Sequence, residues 1–163
     1  MRETITFDLR GHLLPHSPIQ LNLTDFQNHF VDNFPESGTR KQIFENFLSY
    51  IQDFQKDIIV SFKMWINGSY VTRKLNPRDI DFVIFIPYDI YRANEQMIQA
   101  KYKTEGAEQF FSVDAYTIEV YPESHNKFMF TQSDTVYWRS WFGETARNRN
   151  NQRFQKGFIE INF

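Results

Sequence analysis

What the sequence lacks already limits its function. It contains no cysteine, which excludes disulfide bonds, thiolate metal ligands and cysteine nucleophiles. Its longest clean apolar run, "FVIFI" at residues 82–86, is far shorter than the about 20 residues that span a membrane. Residues 1–11 contain no apolar stretch of the signal-peptide type. These absences predict a soluble cytoplasmic protein with no membrane contact.

Turn-forming residues and excess charge are also scarce. Six glycines and six prolines among 163 residues form no linker, so we expect a single domain over residues 1–163 with helices at its N-terminal end. The net charge of −2 gives no global attraction to nucleic acid, and any such contact needs a local basic patch. The four histidines show no zinc-like spacing, and the phosphate-loop pattern of P-loop NTPases is absent.

Aromatic residues, in contrast, are abundant at 18%, with 18 phenylalanines, and predict a globular core. Hydrophobic periodicity predicts helices over residues 25–34 (capped by Thr24), 39–55, 88–104 and 133–148 (capped by Ser133 or Asp134). Strands are predicted over residues 58–66, 80–86, 110–121 and 157–163. This order indicates an α/β (α+β) domain, with a mixed sheet of about four to five strands flanked by helices.

Two aspartates, Asp79 and Asp81, stand at the start of the apolar strand "IDFVIFI". Residues two apart on a strand point to the same face, so both carboxylates are expected to converge on one spot. Their repulsion would drive one towards protonation unless a cation binds between them. Mg²⁺ prefers such hard oxygen ligands. The alternative for Asp79 alone is the last position of an Asn-Pro-Arg-Asp turn.

Gly68 and Ser69 follow a predicted strand and precede a turn or short helix. Glycine lets the backbone approach a ligand closely, and Ser69 can cap the helix or donate to a phosphate. Taken alone, Gly-Ser is equally typical of a loop. Together with the aspartate pair, it indicates a cradle for a cation and a phosphate group.

The stretch "GSYVTRKLNPRDIDFV" resembles the signature of the nucleotidyltransferase superfamily, which includes DNA polymerase β and the minimal nucleotidyltransferases. That pattern is Gly-Ser, a spacer, and Asp-hydrophobic-Asp-hydrophobic, here Asp79 to Phe82. The segments "GHLLP", "DFQNHFV", "VDAY" and "YWRSWFG" extend a narrower resemblance, over nearly the whole chain, to an uncharacterised family of bacterial and phage proteins. The resemblance implies a nucleotidyltransferase-like fold.

In that superfamily a third acidic residue on a later strand completes the metal site and can act as the base. The resemblance gives this role to Asp114, and Glu119 is the alternative, deeper in the strand and on its opposite face. In the alternative interpretation, Asp114 lies on an edge strand and its side chain faces water. Three carboxylates would hold two Mg²⁺ ions, and Mn²⁺ can replace Mg²⁺.

Basic residues near these motifs are candidates for nucleotide binding. Arg73, Lys74 and Arg78 lie beside the motif and are expected near the phosphates. A second basic group follows further along the chain: Arg139, Arg147, Arg149, Arg153 and Lys156. The alternative interpretation of this group is a solvated helix end and loop. Trp138 and Trp141 are expected in the core or as a base-stacking edge.

The expected function is therefore Mg²⁺-dependent transfer of an NMP from an NTP, such as ATP, to a hydroxyl of a protein, RNA or small molecule. The resemblance implies that the protein acts in a toxin–antitoxin or phage-defence pair, together with a partner protein. Two alternatives stay open: a non-catalytic nucleotide- or partner-binding module of the same fold, and phosphohydrolysis at the same metals.

Overall fold

A mixed sheet of five strands is the centre of the computed structural model, which describes residues 4–163. Its strands are β3 (Pro18–Gln20), β4 (Lys63–Asn67), β5 (Asp81–Pro87), β6 (Asp114–Val120) and β7 (Phe158–Asn162). They lie in the order β3-β7-β4-β5-β6. β3 is parallel to β7 and β5 to β6, whereas β4 is antiparallel to both of its neighbours. The short strands β1 (Thr6–Phe7) and β2 (Leu13–Leu14) form a separate antiparallel pair.

Six α-helices flank the sheet within residues 4–163. They are α1 (Leu23–Gln27), α2 (Arg40–Asp57), α3 (Tyr88–Ala93), α4 (Glu95–Met97), α5 (Thr104–Phe111) and α6 (Phe128–Phe142). Two π-helical turns, Asn28–Asp32 and Ile98–Tyr102, continue α1 and α4, and a 3₁₀ turn covers Ser69–Val71.

The sheet is covered on both faces. Along β5, Phe82, Ile84 and Ile86 belong to the large core that includes the buried face of α2. Val83 and Phe85 belong to a smaller core with Phe142 of α6. Alternating side chains of one strand thus enter two apolar layers, which explains why the sequence of β5 is apolar without interruption.

The predicted fold class, a mixed sheet of four to five strands with flanking helices, is confirmed. Several predicted boundaries are wrong. Asn22, not Thr24, caps α1, because its side chain accepts a hydrogen bond from the Asp25 N–H. α6 begins at Phe128 instead of residue 133. The strand predicted from residue 110 is β6, and it begins at Asp114 because α5 extends to Phe111.

The predicted helix over residues 88–104 is divided into α3, α4 and a π-helical turn. The strand predicted over residues 58–66 is shorter and lies at Lys63–Asn67. Within residues 4–163, no helix combines the length and apolar character needed to cross a membrane.

Candidate functional site

Three polar side chains form a row across one end of the sheet. Asn67 is the last residue of β4 and pairs with Asp81, the first residue of β5. Asp81 in turn pairs with Asp114, the first residue of β6. Side chains alternate along strands, so this row shares the face of Trp65, Val83 and Ile118, which is the face covered by α6. The row lies on the same face of the sheet as the small core, at the end of the strands where that core stops.

Gly68 is shaped to receive the Asp81 carboxylate. A Cβ atom built on Gly68 would lie 1.8 Å from Asp81 Oδ2, so only a residue without a side chain fits. The φ angle of Gly68 is +80°, a region that L-residues with side chains rarely adopt. Gly68 therefore allows close approach of the Asp81 side chain, whereas its predicted contact with a phosphate stays a prediction.

The environment of Asp81 disfavours its charged form. Burial is the main cause, followed by a hydrogen bond with Asp114 and the negative charges of Asp79 and Asp114, and together they raise the pKa of Asp81 to about 8. The positive charge of Lys156 acts in the opposite direction. Burial also lowers the pKa of Lys156, against the attraction of Asp81. Asp81 thus keeps its proton near neutral pH in the absence of a bound cation.

A cavity of about 510 Å³ opens at this row on the α6 side. It combines the three polar residues of the row with a cationic and aromatic wall: Asn67, Asp81, Asp114, Tyr116, Trp141, Phe142, Glu144, Thr145, Ala146, Arg147, Arg153 and Lys156. The Tyr116 hydroxyl donates to Asp114 Oδ2 at 3.2 Å. Burial and this carboxylate raise the pKa of Tyr116 to about 12, so its hydroxyl stays protonated and able to donate.

The basic segment after α6 folds back to form the cationic wall. Glu144 and Gln155 form an antiparallel bridge, and the Lys156 N–H donates to the Gly143 carbonyl at 2.9 Å. Of the five predicted basic residues, this folding places Arg147, Arg153 and Lys156 on the cavity. Arg139 instead faces the ring of Trp65 at 5.6 Å. The two tryptophans also differ, since Trp138 packs on Tyr116 and Phe142 whereas Trp141 is exposed at the cavity.

Asp79 lies outside the row. β5 begins at Asp81, so Asp79 is an exposed residue of the preceding loop and not of the strand. The expected convergence of the two carboxylates stays a prediction, since the charge of Asp79 acts on Asp81. Asp79 lines a second cavity of about 630 Å³. Asp114 and Tyr116 line both cavities, whereas the remaining residues of the second one are Arg78, Asp79, Thr104, Glu105, Glu108, Ser112 and Val113.

The remaining predicted phosphate neighbours are spread around the site. Ser69 begins the 3₁₀ turn, and its carbonyl, not its hydroxyl, stabilises that turn by accepting from Thr72. Arg73 turns away: its N–H donates to the Gly11 carbonyl, and its guanidinium faces the ring of Phe7 at 5.6 Å. Neither Arg73 nor Lys74 lines the two described cavities beside Asp114. Arg78 lines the second of them.

Arg40 holds the loop that follows Gly68. This arginine is only 1% exposed, and its guanidinium donates to the carbonyls of Phe30, Tyr70, Thr72 and Lys74 at 2.5–2.9 Å. Burial lowers its pKa to about 10. Arg40 therefore ties residues 70–74 to the start of α2.

Glu119, the alternative third carboxylate, belongs to another part of the molecule. It pairs with Ile86 in the sheet register, whereas Asp114 pairs with Asp81. Five residues of strand separate the two acids, which corresponds to about 16 Å. Glu119 forms an ion pair with Arg92 at 3.1 Å and accepts from the Tyr121 hydroxyl. It does not reach the row.

The donor set of the row fits one magnesium ion. Within residues 4–163, no group of three or more His, Asp or Glu side chains is arranged to hold a metal. The row offers two carboxylates and the Asn67 Oδ1 atom, which is buried without a hydrogen-bond partner among these residues. Mg²⁺ is commonly bound through one or two carboxylates and substrate phosphates. Asp81 and Asp114 are therefore the candidate ligands, and the predicted two-ion arrangement with Asp79 stays a prediction.

Sequence reasoning missed three residues of this site. Tyr116 and Asn67 had a usable signal, because Tyr116 lies two residues along a strand from Asp114 and so shares its face, and Asn67 directly precedes Gly68. Arg40 had none: an arginine in the first turn of a helix is ordinarily solvent-exposed, and only the tertiary contacts bury it.

Comparison with known proteins adds family membership. Residues 5–162 match the model of a family of unknown function, DUF6932. Because the match covers nearly the whole chain, the protein belongs to this family. No curated protein shows significant similarity to the chain, and no solved structure does.

Proposed function

We propose that the protein is a Mg²⁺-dependent nucleotidyltransferase that moves an NMP from an NTP to a hydroxyl acceptor. The observation that carries this proposal is the pairing of Asp81 with Asp114 on neighbouring parallel strands, next to Gly68 and beside a cavity that three basic residues line. The charge of Asp114 disfavours the ionised form of Asp81, and a divalent cation would remove this penalty.

The cavity of about 510 Å³ is the proposed nucleotide site. Arg147, Arg153 and Lys156 would contact the phosphates, which arginine and lysine bind through charge-assisted hydrogen bonds. The exposed Trp141 offers a ring for base stacking, and the unpartnered Asn67 Oδ1 offers an acceptor for a nucleotide N–H or O–H group. When bound, Mg²⁺ would neutralise charge on the phosphates.

In the proposed reaction, the acceptor oxygen attacks the α-phosphorus and the bond to pyrophosphate breaks. Asp114 would take the proton of the attacking hydroxyl, because it is the acidic residue shared by both cavities. The Tyr116 hydroxyl, which donates to Asp114 Oδ2, would hold that carboxylate in position.

The second cavity is the proposed entrance for the acceptor. Its charged residues are four acids, Asp79, Glu105, Glu108 and Asp114, and a single base, Arg78. Such a surface repels polyphosphate backbones. Within the proposed function, a hydroxyl of a protein or of a small cationic molecule therefore fits this cavity better than an RNA end.

The test is transfer of label from each of the four NTPs, α-³²P-labelled, to components of a cell extract in Mg²⁺. We expect Asp81→Asn and Asp114→Asn to abolish labelling, by a factor of about 10³ or more. The matched control is Glu119→Gln, which removes an acid from the far end of the same strand as Asp114 and should leave labelling unchanged.

The assay also separates the alternatives. Nucleotide binding without turnover in every extract would overturn the transferase proposal in favour of a binding module. Release of phosphate from γ-labelled NTP, without transfer of the α-label, would favour phosphohydrolysis. A toxin–antitoxin or phage-defence role would be supported if labelling required, or were blocked by, the product of a neighbouring gene.

A further inference from the structure

A third cavity, of about 300 Å³, lies beside the C-terminal end of β6. It is lined by alternate residues of this segment from Thr117 to Tyr121, whereas the second cavity, of about 630 Å³, reaches Tyr116. The two cavities also adjoin at the start of α5, where Lys103 lines one and Thr104 lines the other. Because the lining residues are consecutive on both walls, the two cavities form one continuous groove along β6, which we call the β6 groove.

β6 is an edge strand, because it pairs with β5 alone. The Asp114 N–H donates to the Ile80 carbonyl, so alternate residues of this parallel ladder, among them Thr117, turn their N–H and C=O groups away from β5. Ala115 is fully buried, whereas Thr117 is partly exposed and lines the third cavity. Within residues 4–163, the backbone groups of Thr117 have no hydrogen-bond partner. A bound chain can therefore pair with β6 at Thr117.

The β6 groove ends where α6 caps the strand. The Thr131 hydroxyl accepts from the Tyr121 N–H at 2.8 Å and donates to the Glu119 carbonyl at 2.9 Å. From Asp114 to Tyr121 the extended chain covers about 23 Å. A peptide of about seven extended residues has this length, whereas a small molecule would occupy one of the two cavities only.

The two halves of the β6 groove differ in charge. The second cavity has four acids and one base. The third cavity has three bases, Arg92, Lys103 and Lys127, and two acids, Glu119 and Asp134. Arg92 forms an ion pair with Glu119, whereas neither lysine forms an ion pair within the described part of the chain. One half therefore attracts cations, and the other offers two ammonium groups to an anion.

We propose that the β6 groove binds an extended segment of an acceptor protein, with a hydroxyl residue and its basic neighbours at Asp114 and an acidic residue about five positions away. This inference rests on the proposed function and deepens it, because it names a protein chain as the acceptor. The spacing follows from the strand, since Asp114 in the second cavity and Glu119 in the third lie about 16 Å apart. A segment with the opposite order of charges would meet like charge at both ends.

In this arrangement the hydroxyl of the segment reaches the reacting groups. Its oxygen would form the bond to the α-phosphorus while the bond to pyrophosphate breaks, and its proton would pass to Asp114. The basic neighbours would lie near Glu108, and the acidic residue near Lys127. Hydrogen bonds to the backbone of Thr117 would align the segment without depending on its sequence.

Peptide binding, measured by fluorescence anisotropy, tests the β6 groove without depending on catalysis. The probe is fluorescein-labelled Lys-Ser-Lys-Ala-Ala-Ala-Glu-Glu, made also in the reverse order, and each comparison peptide has two lysines in place of the two glutamates. We expect the probe, in one of its two orders, to bind about tenfold more tightly than its comparison peptide, although the net charge of −2 favours the more basic peptide. Equal or weaker binding of the probe in both orders would overturn the proposal.

Charge reversal in the third cavity locates the contact. Lys127→Glu should invert the preference, so that the comparison peptide binds about tenfold more tightly than the probe. Lys41→Glu, the same change at an exposed position of α2, is the matched control and should keep the wild-type preference. An unchanged preference in Lys127→Glu, or the same shift in both variants, would show that the acidic end of the peptide does not reach the third cavity and would overturn the proposal.

Label transfer to the same peptides separates this inference from the proposed function. With α-³²P-labelled NTP we expect the probe to be labelled on its serine, whereas Lys-Ala-Lys-Ala-Ala-Ser-Glu-Glu should bind equally well and stay unlabelled. Labelling in cell extract without charge-selective peptide binding would overturn the β6 groove and leave the transferase proposal intact. Charge-selective binding without label transfer to peptide or extract would support the groove and overturn the transferase proposal.

Discussion

At the residue scale, Gly68 and Asp81 depend on each other's positions. The glycine keeps a positive φ angle and leaves free the space that the Asp81 carboxylate occupies. The carboxylate, in turn, is held beside a second acid and away from water, so it carries a raised pKa. The positive φ angle of Gly68 and the buried carboxylate of Asp81 both disfavour the folded state, and such unfavourable features are common at functional sites.

Gly68→Ala should therefore damage both the fold and the site. A methyl group would meet Asp81 Oδ2 at 1.8 Å, and alanine is strained at this φ angle, so we expect a loss of about 2–4 kcal/mol in the free energy of unfolding. Urea denaturation measures it. Gly38→Ala is the control, because the nearest atom there is 3.8 Å away and φ is not positive; a similar loss in both variants would contradict the close-approach argument.

Asp81→Asn should stabilise the protein in the absence of divalent cations. The unfolded chain loses the Asp81 proton near pH 4, whereas the folded chain keeps it until about pH 8. Stability of the wild type therefore falls as pH rises between these values, and asparagine removes that loss. Allowing for solvent relaxation and the shared proton, we expect a gain of about 2 kcal/mol at pH 8.

Urea denaturation at pH 4.5 and pH 8, in EDTA, measures this difference, which should be smaller at the lower pH. Asp32→Asn is the comparison, since Asp32 is exposed and its replacement should change stability by less than about 0.5 kcal/mol. An Asp81→Asn protein that is less stable than the wild type at pH 8 would show that the carboxylate is a structural partner in its ionised form.

At the element scale, α2 determines the shape of the loop after Gly68 through one side chain. Arg40 donates to four carbonyl groups through two buried and two part-buried hydrogen bonds. The ring of Phe34 lies 3.8 Å from its guanidinium, which adds a cation–π contact. The conformation of residues 70–74 is therefore set by a helix distant in sequence.

Arg40→Met should loosen this loop. The lost hydrogen bonds leave several carbonyls unpaired, partly offset by removal of a buried charge, so we expect about 2–3 kcal/mol of destabilisation. Hydrogen exchange should accelerate at residues 69–75 in particular. Lys41→Met, at the exposed next position of the same helix, should change neither quantity; uniform acceleration over the whole chain would instead indicate general destabilisation.

At the scale of the whole molecule, two cavities of different charge meet at Asp114 and Tyr116. The wall of one has an exposed tryptophan and three basic residues that balance its three acids, whereas the other has four acids and one base. This division suits two substrates that differ in charge and must meet at one carboxylate. It also suits a short chain, since both sites are built on one sheet.

If the two cavities bind different substrates, as proposed, a substitution in one cavity should affect nucleotide binding and a substitution in the other should affect acceptor use. Lys156→Met should weaken binding of a fluorescent NTP analogue about tenfold, because a phosphate contact is lost. Glu108→Lys should leave that affinity within about twofold but reduce acceptor labelling. Equal effects of both variants on nucleotide binding would contradict the assignment of separate cavities.

The resemblance to nucleotidyltransferases supplied the candidate Asp114, whereas the sequence by itself determined the mixed α+β class, the apolar strand β5 and the candidates Gly68 and Asp81. These follow from local periodicity and from residue types with few conformational alternatives. Its boundaries were wrong near Asp114 and Phe128, because propensity does not state where a strand partner ends or where a helix begins.

Only the tertiary structure decided which residues meet. The register of β4, β5 and β6 brought Asn67, Asp81 and Asp114 into one row and left Glu119 out of it. Packing of the loop after Gly68 placed Arg73 against Phe7. Such contacts join residues distant along the chain. They are chosen by how whole elements pack, which no short stretch of sequence encodes.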